Sequence, residues 1–141
     1  MSGARAHALT LFCAAALSSM AGAARACELQ PIGPAARTLT SEHYRLAFRT
    51  EPATLALGQP FAIELRVCPF VGAAPPERIA VDATMPEHRH GMNYTPSVVA
   101  RGDGRYRAEG LMLHMPGRWE LAFEIKAQGR SELITFDIRL P

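Results

Sequence analysis

Trp119–Lys126, WELAFEIK, and Ser131–Leu140, SELITFDIRL, decide the fold of this chain. In the first, Trp119, Leu121, Phe123 and Ile125 fall on every second position. In the second, Ile134, Phe136, Ile138 and Leu140 do the same. A period of two sends alternate side chains to opposite faces, so each segment reads as a half-buried β-strand. Gln128-Gly129 between them offers the positive φ of a tight hairpin.

Working outward, the same alternation recurs in His43–Arg49 (Tyr44, Leu46, Phe48), Pro60–Cys68 (Phe61, Ile63, Leu65, Val67) and Ile79–Met85 (Ile79, Val81, Ala83, Met85). Arg105–Met115 follows Val98–Arg101 through Gly102-Asp103-Gly104. Further turn signals stand at Gly58-Gln59-Pro60, Gly72–Pro76 and Pro116-Gly117. About seven short strands without a helical period describe an all-β chain, an antiparallel β-sandwich of immunoglobulin-like kind, since each half-buried strand needs a second sheet to cover it. Pairing of consecutive strands as a meander sets Arg105–Met115 beside Trp119–Lys126.

The beginning of the chain reads differently. Arg5 is followed by the apolar run Ala8–Leu17 and by Ala24-Arg25-Ala26, the pattern of a cleavable secretory signal. Ten apolar residues are too few to span a bilayer, which takes about 20. The expected organisation is a signal peptide over 1–26, an extended lead-in over 27–41 and one sandwich domain over 42–141, exported to the periplasm, with no transmembrane segment. Without Arg5 and Arg25, 13 of the 15 basic residues remain against 13 acidic ones. A neutral chain with no basic track excludes nucleic acid as a partner.

Cys13 leaves with the signal, so Cys27 and Cys68 remain as an even pair. In an oxidising compartment they are expected to form a disulfide, which closes about 42 residues and stabilises by roughly 4 kcal/mol on chain entropy. Thiolate ligation of a metal is the alternative. Lipidation of Cys27 fits poorly, because Ala24 and Arg25 stand where such a signal carries Leu and a small residue.

Chemistry gathers between Met85 and Met115. That window holds all four methionines and three of the four histidines found beyond residue 26. Thioether sulfur with imidazole nitrogen suits soft or borderline metals, Cu(I) above all. His88 and His90, two apart, point the same way if extended, and Met92 continues their parity. His114 and Met112 share a face. Met85 and Met115 precede Pro86 and Pro116, where strands should end. The candidate metal ligands are His88, His90, Met92, His114 and Met115. Met85 and Met112 read as core, His43 as structural, Tyr94 and Trp119 as packing. Glu87 and Arg89 read either as solvated or as partners that orient an imidazole.

The runs DATMPEHRHGMNYTP and GLMLHMPGRWEL resemble the YtkA-like domain family, related to FixH-like proteins. The likeness is strong from Ile79 to Leu121 and looser in the flanking strands. It implies a small immunoglobulin-like sandwich and, from members associated with copper handling and respiratory oxidase assembly, a copper site. It points to the same five residues, His88, His90, Met92, His114 and Met115. FixH-like members carry a membrane anchor, whereas this chain has a cleavable signal.

No nucleophile elbow, carboxylate pair at catalytic spacing or phosphate loop is present, so the chain is expected not to be an enzyme. The expected function is copper handling or delivery, with a copper ion and a periplasmic or membrane metalloprotein as partners. The alternative is a protein-interaction module on the sandwich, without metal.

Overall fold

The hairpin of the two deciding segments is the longest in the structure: β8 (Gly117–Ala127) pairs with β9 (Arg130–Leu140) over eleven residues each. Gln128 and Gly129 join them with φ of 49° and 73°. Both central residues at positive φ make the two-residue turn that matches strand twist. The structure is a computed structural model that describes Cys27, Leu29 and residues 32–141. The signal segment read in residues 1–26 lies outside the described residues.

Nine strands and no helix occur among the described residues. Besides β8 and β9 they are β1 (Arg37–Thr40), β2 (Tyr44–Glu51), β3 (Pro60–Pro69), β4 (Arg78–Met85), β5 (His90–Gly91), β6 (Ser97–Gly102) and β7 (Arg105–Met112). They form two antiparallel sheets, β1-β2-β3-β7-β6 and β5-β4-β8-β9. The fold is therefore an all-β sandwich. Two strands go beyond the seven expected. β1 arises inside the expected lead-in, where only Leu39 is partly buried and pairing with β2 supplies the order. β5 is two residues long and caps the edge of β4.

The core lies between the sheets and carries the side chains that the alternation named, with Leu46, Ile63, Trp119, Leu121 and Phe123 fully buried. Phe48 meets Phe123 and Phe136 with ring centres 4.9 and 5.2 Å apart. Met85 is fully buried, as expected of a core residue, whereas Met112 is half buried. Cys27 and Cys68 are bonded, with Cα atoms 5.3 Å apart, and tie the lead-in to the end of β3.

The meander expectation is corrected. β7 ends at Met112, pairs with β3 and β6, and lies in the sheet opposite β8. Alternation tells inward from outward but not which sheet a strand joins. A bulge adds to the difference: Phe61 faces Leu111 while Ile63 faces Ala108, so Glu109 and Gly110 oppose Ala62 alone. Gly110, at φ 84°, takes the left-handed conformation that the extra residue needs. The bulge flips the face of the strand. Leu111 and Leu113 turn into the core, and His114 emerges half buried on the crossing to β8.

Candidate metal centre

β4 and β5 form a hairpin whose loop, Pro86–Arg89, carries the first histidine. Pro86 is preset for the second position of a turn, and the His88 amide donates to the Met85 carbonyl at 3.1 Å. Arg89 then takes φ 54°, which returns the chain so that His90 pairs with Met85. His88 is thus in a turn and not in the extended segment that the two-residue spacing suggested. The ladder continues past β5, where the Met92 amide donates to the Ala83 carbonyl at 3.1 Å.

The rings nevertheless come together. Those of His88 and His90 have centres 6.0 Å apart, and His90 and His114 are 5.4 Å apart. His88 is exposed, while His90 and His114 are half buried. Trp119 lies edge-on to both inner rings, with centres 5.9 Å from His90 and 5.4 Å from His114. It is fully buried, and its indole N–H donates to the Met115 carbonyl at 2.9 Å. The expectation of packing holds for Trp119, but the residue also walls the histidine pair and fixes the backbone of the 113–116 crossing. Tyr94, by contrast, is 50% exposed, because the segment after β5 leaves the sheet.

Met92 and Met115 sit at the same end, both half buried and packed against the core. Gly117, at φ 119°, lets the crossing turn over Met85, whose Cε lies 3.0 Å from where a Cβ would stand. Glu87 is exposed, as the solvated one of its two expected roles has it. It meets Arg118 Nε at 3.2 Å, and Arg118 also holds Asp137 at 3.1 Å, so the pair fastens the histidine loop to β8. Sequence gave no sign of this clamp, since its members lie 31 residues apart.

The ring geometry can be set against metal chemistry. A metal–nitrogen bond is ~2 Å and the ring centre lies ~1 Å behind the nitrogen. Two imidazoles on a tetrahedral ion therefore have centres roughly 5 Å apart, and on a linear ion roughly 6 Å. Both observed separations fall in that range. The nitrogens are differentiated as well. His90 Nδ1 lies 3.1 Å from the Gly91 carbonyl, which only accepts, so Nδ1 is the donor there and Nε2 is the nitrogen left to face a ligand. His114 Nδ1 is buried with no hydrogen-bond partner among the described residues. A buried polar atom left so costs about 1–3 kcal/mol unless something else satisfies it. Among the described residues no three His, Cys, Asp or Glu side chains are grouped to hold one ion. The arrangement offers imidazoles two at a time, in series, with thioether sulfur as the remaining donor type.

No protein-family model matches the chain, and no curated protein matches it. Its fold is similar to the crystal structure of a DUF4426 family protein from Pseudomonas aeruginosa PAO1, with a TM-score of 0.51 and 8% identity over 75% of this chain and 94% of that one. At that identity the likeness is one of fold.

Proposed function

We propose that this is an exported, non-catalytic copper-binding protein that handles or delivers copper through the His/Met end of its sandwich. One observation carries the reading: His90 stands between His88 and His114 at 6.0 and 5.4 Å, and the buried Nδ1 of His114 lacks a partner. The disulfide, which suits an oxidising compartment, supports the exported part of it. Bound copper would supply a soft cation that takes thioether and imidazole donors together. His90 and His114 would be the inner donors, His88 the exposed one, with Met92 and Met115 supplying sulfur. Trp119 would keep water from one side of the pair. With sulfur the site favours Cu(I); histidines alone would hold Cu(II). An exposed His88 beside a half-buried pair suits transfer to a periplasmic or membrane metalloprotein.

The test is the copper content of protein isolated from the exported fraction, beside a His88→Ala/His90→Ala variant. Copper in the wild type and its loss in the variant are expected. Equal copper in both, or none in either after copper loading, would overturn the reading in favour of a metal-free interaction module. Mass spectrometry of the same sample should give an N-terminus at Cys27, and an intact or lipidated start would refute the processing part.

A further inference from the structure

Between the edge strands β1 and β9 the sandwich carries a groove that none of the five candidate ligands lines. Its volume is about 500 Å³, within the ~300–1,000 Å³ typical of small-molecule sites. Phe48, Leu55, Phe136 and Ile138 line it. Phe136 and Ile138 point inward but are only half buried, although their cross-strand partners Leu121 and Trp119 are completely so. Apolar surface that the second sheet does not cover therefore faces this groove.

The rim is cationic. Arg37, Arg49 and Arg139 line it, and the one acidic lining residue, Asp137, is held by Arg118 at 3.1 Å. Arg139 has no carboxylate within ion-pair distance among the described residues, and Arg37 reaches only the Ala35 carbonyl at 3.4 Å. Arg49 shares Glu51 through one terminal nitrogen, but its Nε is buried with no partner among the described residues. A buried guanidinium N–H lacking an acceptor is left to be satisfied, and an anion is the acceptor that bonds it most strongly.

We propose that this groove binds the anion of a medium-chain fatty acid. The acyl chain lies along β9 over Phe136 and Ile138, and the carboxylate meets Arg49 and Arg139. From Phe136 to Leu140 the strand runs about 13 Å at ~3.3 Å per residue, room for a chain of roughly ten carbons. The apolar track of Phe136 and Ile138 beside three arginines favours this occupant over a peptide, whose backbone polar groups would need partners along the whole groove.

Calorimetric titration of the purified protein with dodecanoate, below its micellar range, tests the proposal. Dodecanol and dodecyltrimethylammonium serve as neutral and cationic controls. One equivalent of dodecanoate should bind at least tenfold more tightly than either control. Arg49→Gln/Arg139→Gln should weaken binding about tenfold, Arg139→Gln alone should weaken it while its thermal unfolding stays that of the wild type, and the methyl resonances of Ile138 and Leu140 should shift on addition of dodecanoate. His88→Ala/His90→Ala should bind dodecanoate unchanged, which separates this site from the copper reading. Absence of saturable binding, equal binding of dodecanol, indifference to the arginine substitutions, or occupancy by an apolar peptide but not by dodecanoate would each overturn it.

Discussion

His43 and His114 sit at opposite ends of one sandwich, are both half buried, and have opposite surroundings. His43 Nδ1 meets Glu132 Oε1 at 2.6 Å, and its backbone N–H donates to the other oxygen at 3.2 Å. The same end is closed by the Cys27–Cys68 bond and by Tyr44, whose hydroxyl donates to the Ala74 carbonyl at 2.8 Å. At the other end His114 Nδ1 is buried without a partner and faces no carboxylate among the described residues. Folding alone accounts for the first histidine, because Glu132 matches both its Nδ1 and its backbone N–H. The second has no such match: its buried Nδ1 stands without a partner beside the His90 ring, and that difference is what the copper proposal rests on.

The comparison breaks if the closed end turns out to matter for copper. Replacing both Cys27 and Cys68 by Ser should lower stability by about 4 kcal/mol, from the entropy of the freed loop. Denaturant unfolding measures this, and copper affinity should stay within twofold of the wild type. A smaller effect on stability together with lost copper would make the cysteines ligands.

At the histidine end, Trp119→Phe keeps a ring and removes the N–H that holds the Met115 carbonyl. A loss of about 1–3 kcal/mol is expected for the carbonyl left without its donor. Copper affinity should fall with it, and a variant that binds copper as tightly as the wild type would remove Trp119 from the site. Gly117→Ala forces a side chain onto a left-handed residue and against Met85, at a cost of about 1–2 kcal/mol. Since Gly117 ends the crossing that carries His114, thermal unfolding and copper affinity should drop together.

The smallest effect sharpens the contrast from the closed side. Burial pushes the Glu132 carboxyl up, but hydrogen bonds from Ser41 and from the His43 backbone and ring outweigh it, leaving the group below the usual glutamate range. A carboxyl lowered by folding stabilises fully above its unfolded value of about 4.3, and that stability is lost as pH falls through the lower folded value. Glu132→Gln should therefore cost about 1 kcal/mol at pH 7 and progressively less below pH 4. Unfolding curves at pH 7 and pH 3 check the sign, and a gap that widens in acid would contradict it.

What sequence could reveal follows from how local each feature is. The β8–β9 hairpin was legible because alternation and Gln128-Gly129 lie within one continuous stretch. β1 was not, because Arg37–Thr40 has one partly buried side chain and owes its order to pairing with Phe48–Arg45. The sheet to which β7 belongs was also hidden, since inward alternation is the same in either sheet and the Gly110 bulge reverses it midway. Three of the five candidate ligands, His88, His90 and His114, do come together, though not through pairing of β7 with β8. His114 reaches His90 by the crossing from one sheet to the other, and His88 arrives through a turn set by Pro86 and Arg89. The pairing of His43 with Glu132 spans 89 residues and left no mark that sequence reading could find.

The central claim is that the histidine end, and not the closed end, binds copper. Anaerobic titration with Cu(I) against a competing chelator, comparing wild type, His90→Ala/His114→Ala and His43→Ala, tests it most directly. One equivalent bound by the wild type and by His43→Ala, with affinity at least about a hundredfold weaker in the double variant, is the result expected of two lost imidazole ligands. Equal affinity in all three proteins, or loss confined to His43→Ala, would contradict it.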